Sequence, residues 1–159
     1  MPEVEILQQK NYNFLWVDGA LWMWDIPVEQ EAQESIAQKA FNDVLVAGYG
    51  LGIVQRHLLE NPKVNSVLTV EKIPGVINEC KRTYGKLFGD VEIGDFYKYH
   101  SDKRFDCIIG DMWEDMIPNS LKLYKKFKDK AQELIKPDGK ILAWGQDFFE
   151  YLIKNGKEE

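Results

Sequence analysis

Short apolar runs alternate with longer amphipathic stretches along most of the chain, which predicts alternating strands and helices. The runs that indicate strands after residue 42 are Val44–Ala47, Ser66–Val70, Val91–Ile93, Phe105–Gly110 and Lys140–Trp144. The helical stretches between and after them are about Leu51–Glu60, Pro74–Tyr84, Pro118–Ile135 and Gln146–Asn155. Strands separated by helices form parallel sheets with right-handed crossovers. We therefore predict an α/β fold: a Rossmann-like, doubly wound, mostly parallel sheet, with one short helix after its last strand.

The first 26 residues have a different pattern, which indicates antiparallel strands. Val4–Leu7, Phe14–Val17 and Ala20–Trp24 are short β-type runs, and Asp18-Gly19 between the last two is a strong hairpin signal. Pro27 then suits the start of a helix that extends to about residue 41. We expect a single domain over residues 1–159, in which an N-terminal β-hairpin region (1–26) extends a Rossmann-like core (27–159).

Two segments of the core have signals of their own. Lys136-Pro-Asp-Gly139 is a turn sequence, expected to end the long helix and to precede the last strand. Residues 95–100 form a short connection for which no helix is predicted.

Charge and composition exclude several classes of function. The net charge of −6 and the pI near 5.1 argue against a nucleic-acid partner, because binding phosphates requires a positive surface. The sequence shows neither a signal peptide nor an apolar run of membrane-spanning length, so no membrane partner is expected. Cys80, Cys107, His57 and His100 lack metal-ligand spacing, which predicts no metal site and a reducing, cytoplasmic location.

The segment Asp43-Val-Leu-Val-Ala-Gly-Tyr-Gly-Leu-Gly52 carries the strongest functional signal. A buried strand runs into three glycines at 48, 50 and 52, and a helical pattern follows at once. Glycines in such a turn let the backbone approach a nucleotide-type ligand closely. Dinucleotide sites usually have the spacing G-x-G-x-x-G, whereas the third glycine here comes one residue early. This spacing favours S-adenosylmethionine over a nicotinamide cofactor.

Acidic residues follow the next three predicted strands. Glu71 comes nineteen residues after Gly52, where a carboxylate can accept hydrogen bonds from ribose hydroxyls. Asp95 follows the third strand, where it could bind an adenine amino group while Phe96 offers its backbone amide, and Asp111 follows the fourth. Because the carboxyl ends of parallel strands meet at one edge, these residues are expected to surround one adenosine-type ligand.

These motifs resemble the class I S-adenosylmethionine-dependent methyltransferase superfamily, and more narrowly its spermidine synthase-like branch. The likeness runs from about Phe14 to Gly145 and includes the N-terminal Asp-Gly hairpin. The matching segments are Val44–Gly52 for the glycine motif, Val70–Lys72 for the ribose contact, Gly94–Phe96 for the adenine contact and Phe105–Asp111 for the strand that ends in the family's catalytic aspartate.

The resemblance implies a set of site residues. Gly48, Tyr49, Gly50, Gly52, Glu71, Asp95, Phe96 and Asp111 are expected to bind the cofactor, with Asp111 and Glu114 as the catalytic acids. The chain also departs from the branch. Trp22 stands where the family has a ligand-holding glutamine, Leu51 replaces the acid of the glycine loop, and the tyrosine and histidine of the polyamine site have no match.

Five tryptophans stand out, and alternation places Trp22 and Trp24 on one face of their strand. The first interpretation is that Trp16, Trp22 and Trp24 cover a sheet edge or build a contact between copies of the chain, which predicts a homo-oligomer formed through the N-terminal hairpin. The alternative is an aromatic wall over the cofactor mouth, with Trp113 and Trp144 at strand ends closing the pocket. Such a wall suits a sulfonium or an ammonium group through cation–π attraction.

The leading hypothesis is a transferase that uses S-adenosylmethionine to methylate a small acceptor. A cationic acceptor is favoured by Glu114 and Asp115. The alternative is an aminopropyltransferase that uses decarboxylated S-adenosylmethionine. A third hypothesis is a non-catalytic cofactor-binding or interaction module, and a nicotinamide-binding protein is the most distant.

Overall fold

The computed structural model describes residues 1–110 and 120–156, which form two sheets and their helices. The N-terminal sheet is antiparallel and consists of β1 (Val4–Gln9), β2 (Tyr12–Val17) and β3 (Ala20–Trp24) in that order. The five strands of the central sheet are β4 (Asn42–Ala47), β5 (Val64–Glu71), β6 (Asp90–Ile93), β7 (Phe105–Gly110) and β8 (Ile135–Ala143). The helices are α1 (Pro27–Gln38), α2 (Ile53–Leu59), α3 (Pro74–Tyr84), α4 (Leu121–Leu134) and α5 (Gln146–Lys154), with a 3₁₀ turn over Phe96–Lys98.

The central sheet has the strand order β6-β5-β4-β7-β8, and every neighbouring pair is parallel. The chain therefore winds outward from β4 in one direction as far as β6, then crosses back to continue on the other side of β4 with β7. Alternate residues of β4 pack on opposite faces. Leu45 and Ala47 belong to a core with α4 and α5, whereas Val44 and Val46 belong to a core with α1 and α2. The predicted doubly wound α/β architecture is confirmed.

The hairpin predicted at Asp18-Gly19 is present and joins β2 to β3. Both residues have positive φ, 49° at Asp18 and 79° at Gly19, as required by the two-residue hairpin turn that matches the twist of the strands. Ile6, Leu15 and Val17 on the inner face of this sheet share a core with α3 and with the segment that follows β4. The N-terminal sheet therefore packs directly against the part of the molecule in which the glycines lie.

Residues 136–139, where the sequence predicts a turn, belong to β8 instead, and they interrupt the pairing of β8 with β7. Ile135 pairs with Phe105 and Lys140 pairs with Cys107, so the residues between them bulge out of the ladder. Gly139 lies so close to the neighbouring strand that an added Cβ would stand 2.8 Å from the carbonyl oxygen of Asp106. The turn-forming residues thus make a bulge inside a strand, and regular pairing resumes at Lys140 as the sequence predicts.

Candidate functional site

The carboxyl ends of the five parallel strands lie along one edge of the central sheet, and the direction of winding reverses between β4 and β7. Hydrogen bonds between backbone groups hold these ends in line: the amide of Gly48 donates to Val70 (2.9 Å), that of Gly94 to Glu71 (2.9 Å) and that of Trp144 to Gly110 (3.1 Å). In open α/β sheets, ligands bind in the crevice at this reversal. The structure therefore brings together the ends of β4, β5 and β6, which carry the predicted glycines, Glu71 and Asp95.

The glycine turn, residues Gly48 to Gly52, depends on backbone conformations that favour glycine. Its three glycines have φ angles of 90°, 59° and 72°. The protein's own side chains fill the space over two of them. A Cβ on Gly52 would stand 2.7 Å from the hydroxyl oxygen of Tyr49, and one on Gly50 would stand 2.7 Å from the sulfur of Met23. At Gly52 the buried ring of Tyr49 leaves no room for a side chain, whereas at Gly50 the neighbour is the flexible end of Met23, so glycine there is required by the positive φ angle.

Tyr49 lies inside the turn with its side chain buried. Only 3% of the residue is exposed, and its hydroxyl oxygen accepts a hydrogen bond of 2.9 Å from the amide of Phe88. Burial raises the pKa of the Tyr49 hydroxyl to about 12. The side chain thus supports the turn from below.

Glu71 connects the end of β5 to the glycine turn. One carboxylate oxygen accepts a hydrogen bond of 2.8 Å from the amide of Tyr49, and the other accepts one of 2.9 Å from the amide of Ile73. Glu71 is only 6% exposed. Carboxylates are rarely buried unless their oxygens accept hydrogen bonds, as both oxygens of Glu71 do here. Each carboxylate oxygen can accept a second hydrogen bond, so the predicted ribose contact is chemically compatible with this position.

Asp95 and Phe96 follow the end of β6, and their side chains have structural partners. The carboxylate of Asp95 accepts a hydrogen bond of 2.9 Å from the amide of Tyr97 and so caps the 3₁₀ turn. The ring of Phe96 is buried and stacks on Phe127 of α4, with 5.7 Å between the ring centroids. Phe96 can therefore offer a ligand its backbone, whereas Asp95 stays partly exposed beside the strand end.

The two predicted catalytic acids, Asp111 and Glu114, lie outside the described residues, as does Trp113. The strand that precedes them ends at Gly110, where an added Cβ would stand 2.5 Å from the ring of Phe127. This contact fixes the end of β7 against α4. The fourth strand end is therefore held in a definite position directly before Asp111.

Two residues that no sequence pattern indicated also contact the glycine turn. Met23 on β3 accepts a hydrogen bond of 3.4 Å at its sulfur from the amide of Leu51. Gln55 on α2 is fully buried and donates to the carbonyl oxygen of Gly48 (3.2 Å) and to the hydroxyl of Thr69 (3.1 Å). Within the described part of the chain, the amide oxygen of Gln55 is buried with no hydrogen-bond partner.

The hydrogen bonds of the turn limit the chemistry of what it can bind. Four of its five amides already donate to groups of the protein: Gly48 to Val70, Tyr49 to Glu71, Leu51 to Met23 and Gly52 to Tyr49. A phosphate cradle needs several free amides aimed at the ligand. The turn can approach a ligand by van der Waals contact, but it is poorly suited to bind a pyrophosphate.

Three further features of the described residues concern metal ligands, membrane-spanning helices and a cavity away from this edge. Residues 1–110 and 120–156 contain no group of three His, Cys, Asp or Glu that could hold a metal ion. Across the same residues, no helix is long and apolar enough to cross a membrane. An open cavity of about 630 Å³ lies between the 100–104 loop and the last turn of α4. It opens at the opposite, amino-terminal edge of the sheet, away from the glycine turn.

On the N-terminal sheet, the predicted alternation of the tryptophans is confirmed. Trp22 and Trp24 lie on the outer face of β3, 46% and 39% exposed, while Leu21 and Met23 face inward. Trp24 contacts the edge of the Phe14 ring, with 6.2 Å between the centroids. The residue of β3 that reaches the glycine turn is therefore Met23, and Trp22 and Trp24 point away from it.

Comparisons with known proteins identify the fold. No family model matches the chain, and no curated protein matches it by sequence. Among solved structures, the chain resembles a spermidine synthase in complex with the transition-state analogue AdoDATO (18% identity, TM-score 0.66), over 94% of this chain and 57% of that one. It also resembles the spermidine synthase from Thermotoga maritima (17% identity, TM-score 0.66), over 94% of this chain and 58% of that one.

Methyltransferases give shorter matches. An S-adenosylmethionine-dependent methyltransferase from Clostridium acetobutylicum has 19% identity and a TM-score of 0.51, over 74% of this chain and 50% of that one. The chain thus spans between half and three fifths of the length of these three structures. At these identities the comparisons establish the fold: the chain has the class I S-adenosylmethionine-dependent methyltransferase fold, preceded by an antiparallel N-terminal sheet.

Proposed function

We propose that the edge around the glycine turn binds S-adenosylmethionine and that the protein transfers a group from it, methyl transfer being the first candidate. The observation that carries the proposal is the arrangement of the turn itself. Three of its five amides donate to oxygen atoms of the protein and a fourth donates to the sulfur of Met23, and a buried carboxylate at the next strand end retains acceptor capacity. This arrangement suits a nucleoside without phosphates, which needs close contact with the glycines and acceptors for its hydroxyls. A nicotinamide dinucleotide is disfavoured, because the amides of Gly48, Tyr49 and Gly52 already donate to oxygen atoms of the protein and so cannot donate to its pyrophosphate.

Each strand end has a separate role in the proposal. Glu71 accepts hydrogen bonds from the ribose hydroxyls through the free lone pairs of its carboxylate, and Asp95 accepts one from the adenine amino group. The side chains of Tyr49 and Phe96 are buried, so they position backbone groups at the ligand. Asp111 and Glu114 remain the predicted catalytic acids.

The chemistry asks little of an acid catalyst. Bound S-adenosylmethionine supplies an electrophilic carbon on a sulfonium, and the leaving thioether needs no proton. The protein's tasks are to orient the acceptor in line with the breaking bond and, for an amine, to accept its proton. Glu114 and Asp115 would raise the local concentration of a cationic acceptor. We accordingly propose a small cationic acceptor, and no nucleic-acid partner.

Aminopropyl transfer is the second candidate. The observation in its favour is that the two spermidine synthases match 94% of the chain, whereas the methyltransferase from Clostridium acetobutylicum matches 74%. Leu51 does not decide between the two reactions. It stands where the family has an acid and is 2% exposed within the core shared with the N-terminal sheet, but both cofactors carry the amino group that such an acid would bind. Methyl transfer stays first because the tyrosine and histidine of the family's polyamine site have no match in this sequence.

Turnover with two labelled cofactors tests the proposed reaction. The protein is incubated with a panel of small amines and either methyl-labelled S-adenosylmethionine or aminopropyl-labelled decarboxylated S-adenosylmethionine. Label transferred from the first identifies a methyltransferase, and label from the second identifies an aminopropyltransferase. Asp111→Asn should retain cofactor binding and lose turnover, whereas Asp138→Asn, which alters an exposed aspartate in the β8 bulge, should keep both. Binding without transfer to any amine would favour the non-catalytic module.

The exposed tryptophans support a further proposal about assembly: a second copy of the chain covers the outer face of β3. Two large aromatic side chains on an edge strand are usually covered in solution. Sedimentation of the wild-type protein and of a Trp22→Ser/Trp24→Ser variant tests this. A dimeric wild type with a monomeric variant supports the contact, and a monomeric wild type rejects it.

A further inference from the structure

Met23 is the residue of the N-terminal sheet that lies directly on the glycine turn. Its sulfur would be 2.7 Å, and its terminal methyl carbon 2.9 Å, from a Cβ placed on Gly50. The same sulfur accepts the hydrogen bond from the amide of Leu51. The end of the Met23 side chain therefore covers the part of the turn where the missing side chain of Gly50 leaves room for a ligand.

The glycine turn is held by Cys80 on one side and covered by the flexible side chain of Met23 on the other. The buried thiol of Cys80 on α3 donates to the carbonyl oxygen of Gly50 at 3.3 Å, which anchors the backbone from below. Met23 covers it with an unbranched side chain that has three rotatable bonds, and a thioether is a weak acceptor. Rotation of Met23 exposes the turn and the amide of Leu51 without moving the backbone.

The group that fills this space has a definite chemistry. Met23 presents a CH₂–S–CH₃ unit to the turn, and the two turn residues that it faces there, Gly50 and the buried Leu51, carry no charge. A space that accepts a methylthio group also fits another sulfur with alkyl substituents. S-adenosylhomocysteine carries such a thioether between its adenosyl part and its amino acid chain, and S-adenosylmethionine carries the methylated sulfonium at the same place.

We propose that Met23 competes with the ligand for the glycine turn. In the free protein its methylthio group occupies the place that the sulfur-bearing chain of S-adenosylmethionine takes on binding. This inference rests on the proposed function. If the turn is free of Met23 in about one molecule in ten, the apparent affinity is about tenfold weaker than the intrinsic one. The competition acts only on ligands that carry the sulfur chain.

Two ligands and two variants separate this competition from a general effect on the site. S-adenosylhomocysteine has the sulfur chain, and adenosine lacks it. Met23→Ala should bind S-adenosylhomocysteine about tenfold more tightly than the wild type, and adenosine with less than a twofold change. Leu21→Ala removes an inward-facing side chain of the same strand and should change neither affinity more than twofold. Calorimetric titration measures all of these affinities.

The outcomes are distinct. Weaker or unchanged binding of S-adenosylhomocysteine by Met23→Ala, while the wild type binds it, overturns the competition and leaves the proposed function intact. An equal gain for adenosine also overturns it, because the effect would then be general. Binding of neither ligand by either protein overturns the proposed function together with this inference.

A measurement on the wild type guards against a variant that folds poorly. The chain has four methionines, so ¹³C-methyl labelling gives few resonances, and Met23→Leu assigns the one from Met23. Saturating S-adenosylhomocysteine should shift the Met23 methyl resonance as the side chain leaves the turn, whereas adenosine should leave it nearly unchanged. A resonance that stays in place with bound S-adenosylhomocysteine overturns the proposal.

Discussion

Replacing Glu71 with alanine tests whether its carboxylate holds the glycine turn to the end of β5. The substitution removes two hydrogen bonds, of 2.8 and 2.9 Å, and leaves the amides of Tyr49 and Ile73 without this partner. Hydrogen bonds to charged groups contribute roughly 1.5–3 kcal/mol each, which gives about 3–6 kcal/mol for the pair. The alanine also relieves the cost of burying a carboxylate, which offsets part of this sum. We expect a net loss of about 2–4 kcal/mol in the free energy of unfolding.

Urea denaturation followed by tryptophan fluorescence measures this loss. Glu92→Ala is the matched control, because Glu92 lies on the neighbouring strand β6 with its side chain exposed. That variant should stay within about 0.5 kcal/mol of the wild type. A loss of 3 kcal/mol would also lower the melting temperature by roughly 6–12 °C in a domain of this size. If Glu71→Ala is as stable as Glu92→Ala, the carboxylate does not brace the turn and the account of the site is wrong at its centre.

Three other predictions concern buried groups around the sheet. Gly110→Ala should lower the free energy of unfolding by about 1–3 kcal/mol, because its Cβ would stand 2.5 Å from a phenylalanine ring of α4. The control Gly94→Ala places its Cβ 3.9 Å from the nearest neighbour and should be nearly neutral. Equal losses of stability for the two variants in thermal unfolding would refute this prediction. The thiols of Cys80 and Cys107 should react with a disulfide reagent at pH 8 only after unfolding. Burial raises the pKa of both thiols, that of Cys80 to about 12, so few thiolates form in the native protein. Rapid labelling of the native protein would show that the two thiols are not buried. Burial raises the pKa of the Tyr49 hydroxyl to about 12, whereas a tyrosine in the unfolded chain ionises near pH 10. The free energy of unfolding should therefore fall as the pH rises from about 10 to about 12. Urea denaturation at several pH values should show a smaller fall for Tyr49→Phe than for the wild type.

The sequence predicted the architecture well because its signals are local. The run Phe105–Gly110 and the stretch Pro74–Tyr84 match β7 and α3 residue for residue, since their apolar periods and their proline and glycine boundaries act within a few positions. The same local rules located the hairpin at Asp18-Gly19. They misjudged residues 136–139, because turn-forming residues also suit a bulge, and only the pairing of β8 with β7 decides between the two.

The site could be predicted in outline and not in its contacts. Strand ends follow from the strands, so the position of Glu71 beside the glycine turn was foreseeable. That its carboxylate binds the amides of the turn was not, because this depends on a tertiary distance. Met23 had no signal at all. It lies 27 residues before Gly50, between two tryptophans that attract attention, and only the packing of the N-terminal sheet brings it to the turn.

Calorimetric titration of the wild-type protein with S-adenosylmethionine and with NAD tests the central claim most directly. The engaged amides of the glycine turn and the buried carboxylate of Glu71 predict saturable binding of one S-adenosylmethionine per chain and no measurable binding of NAD. Saturable binding of NAD with none of S-adenosylmethionine would contradict the account.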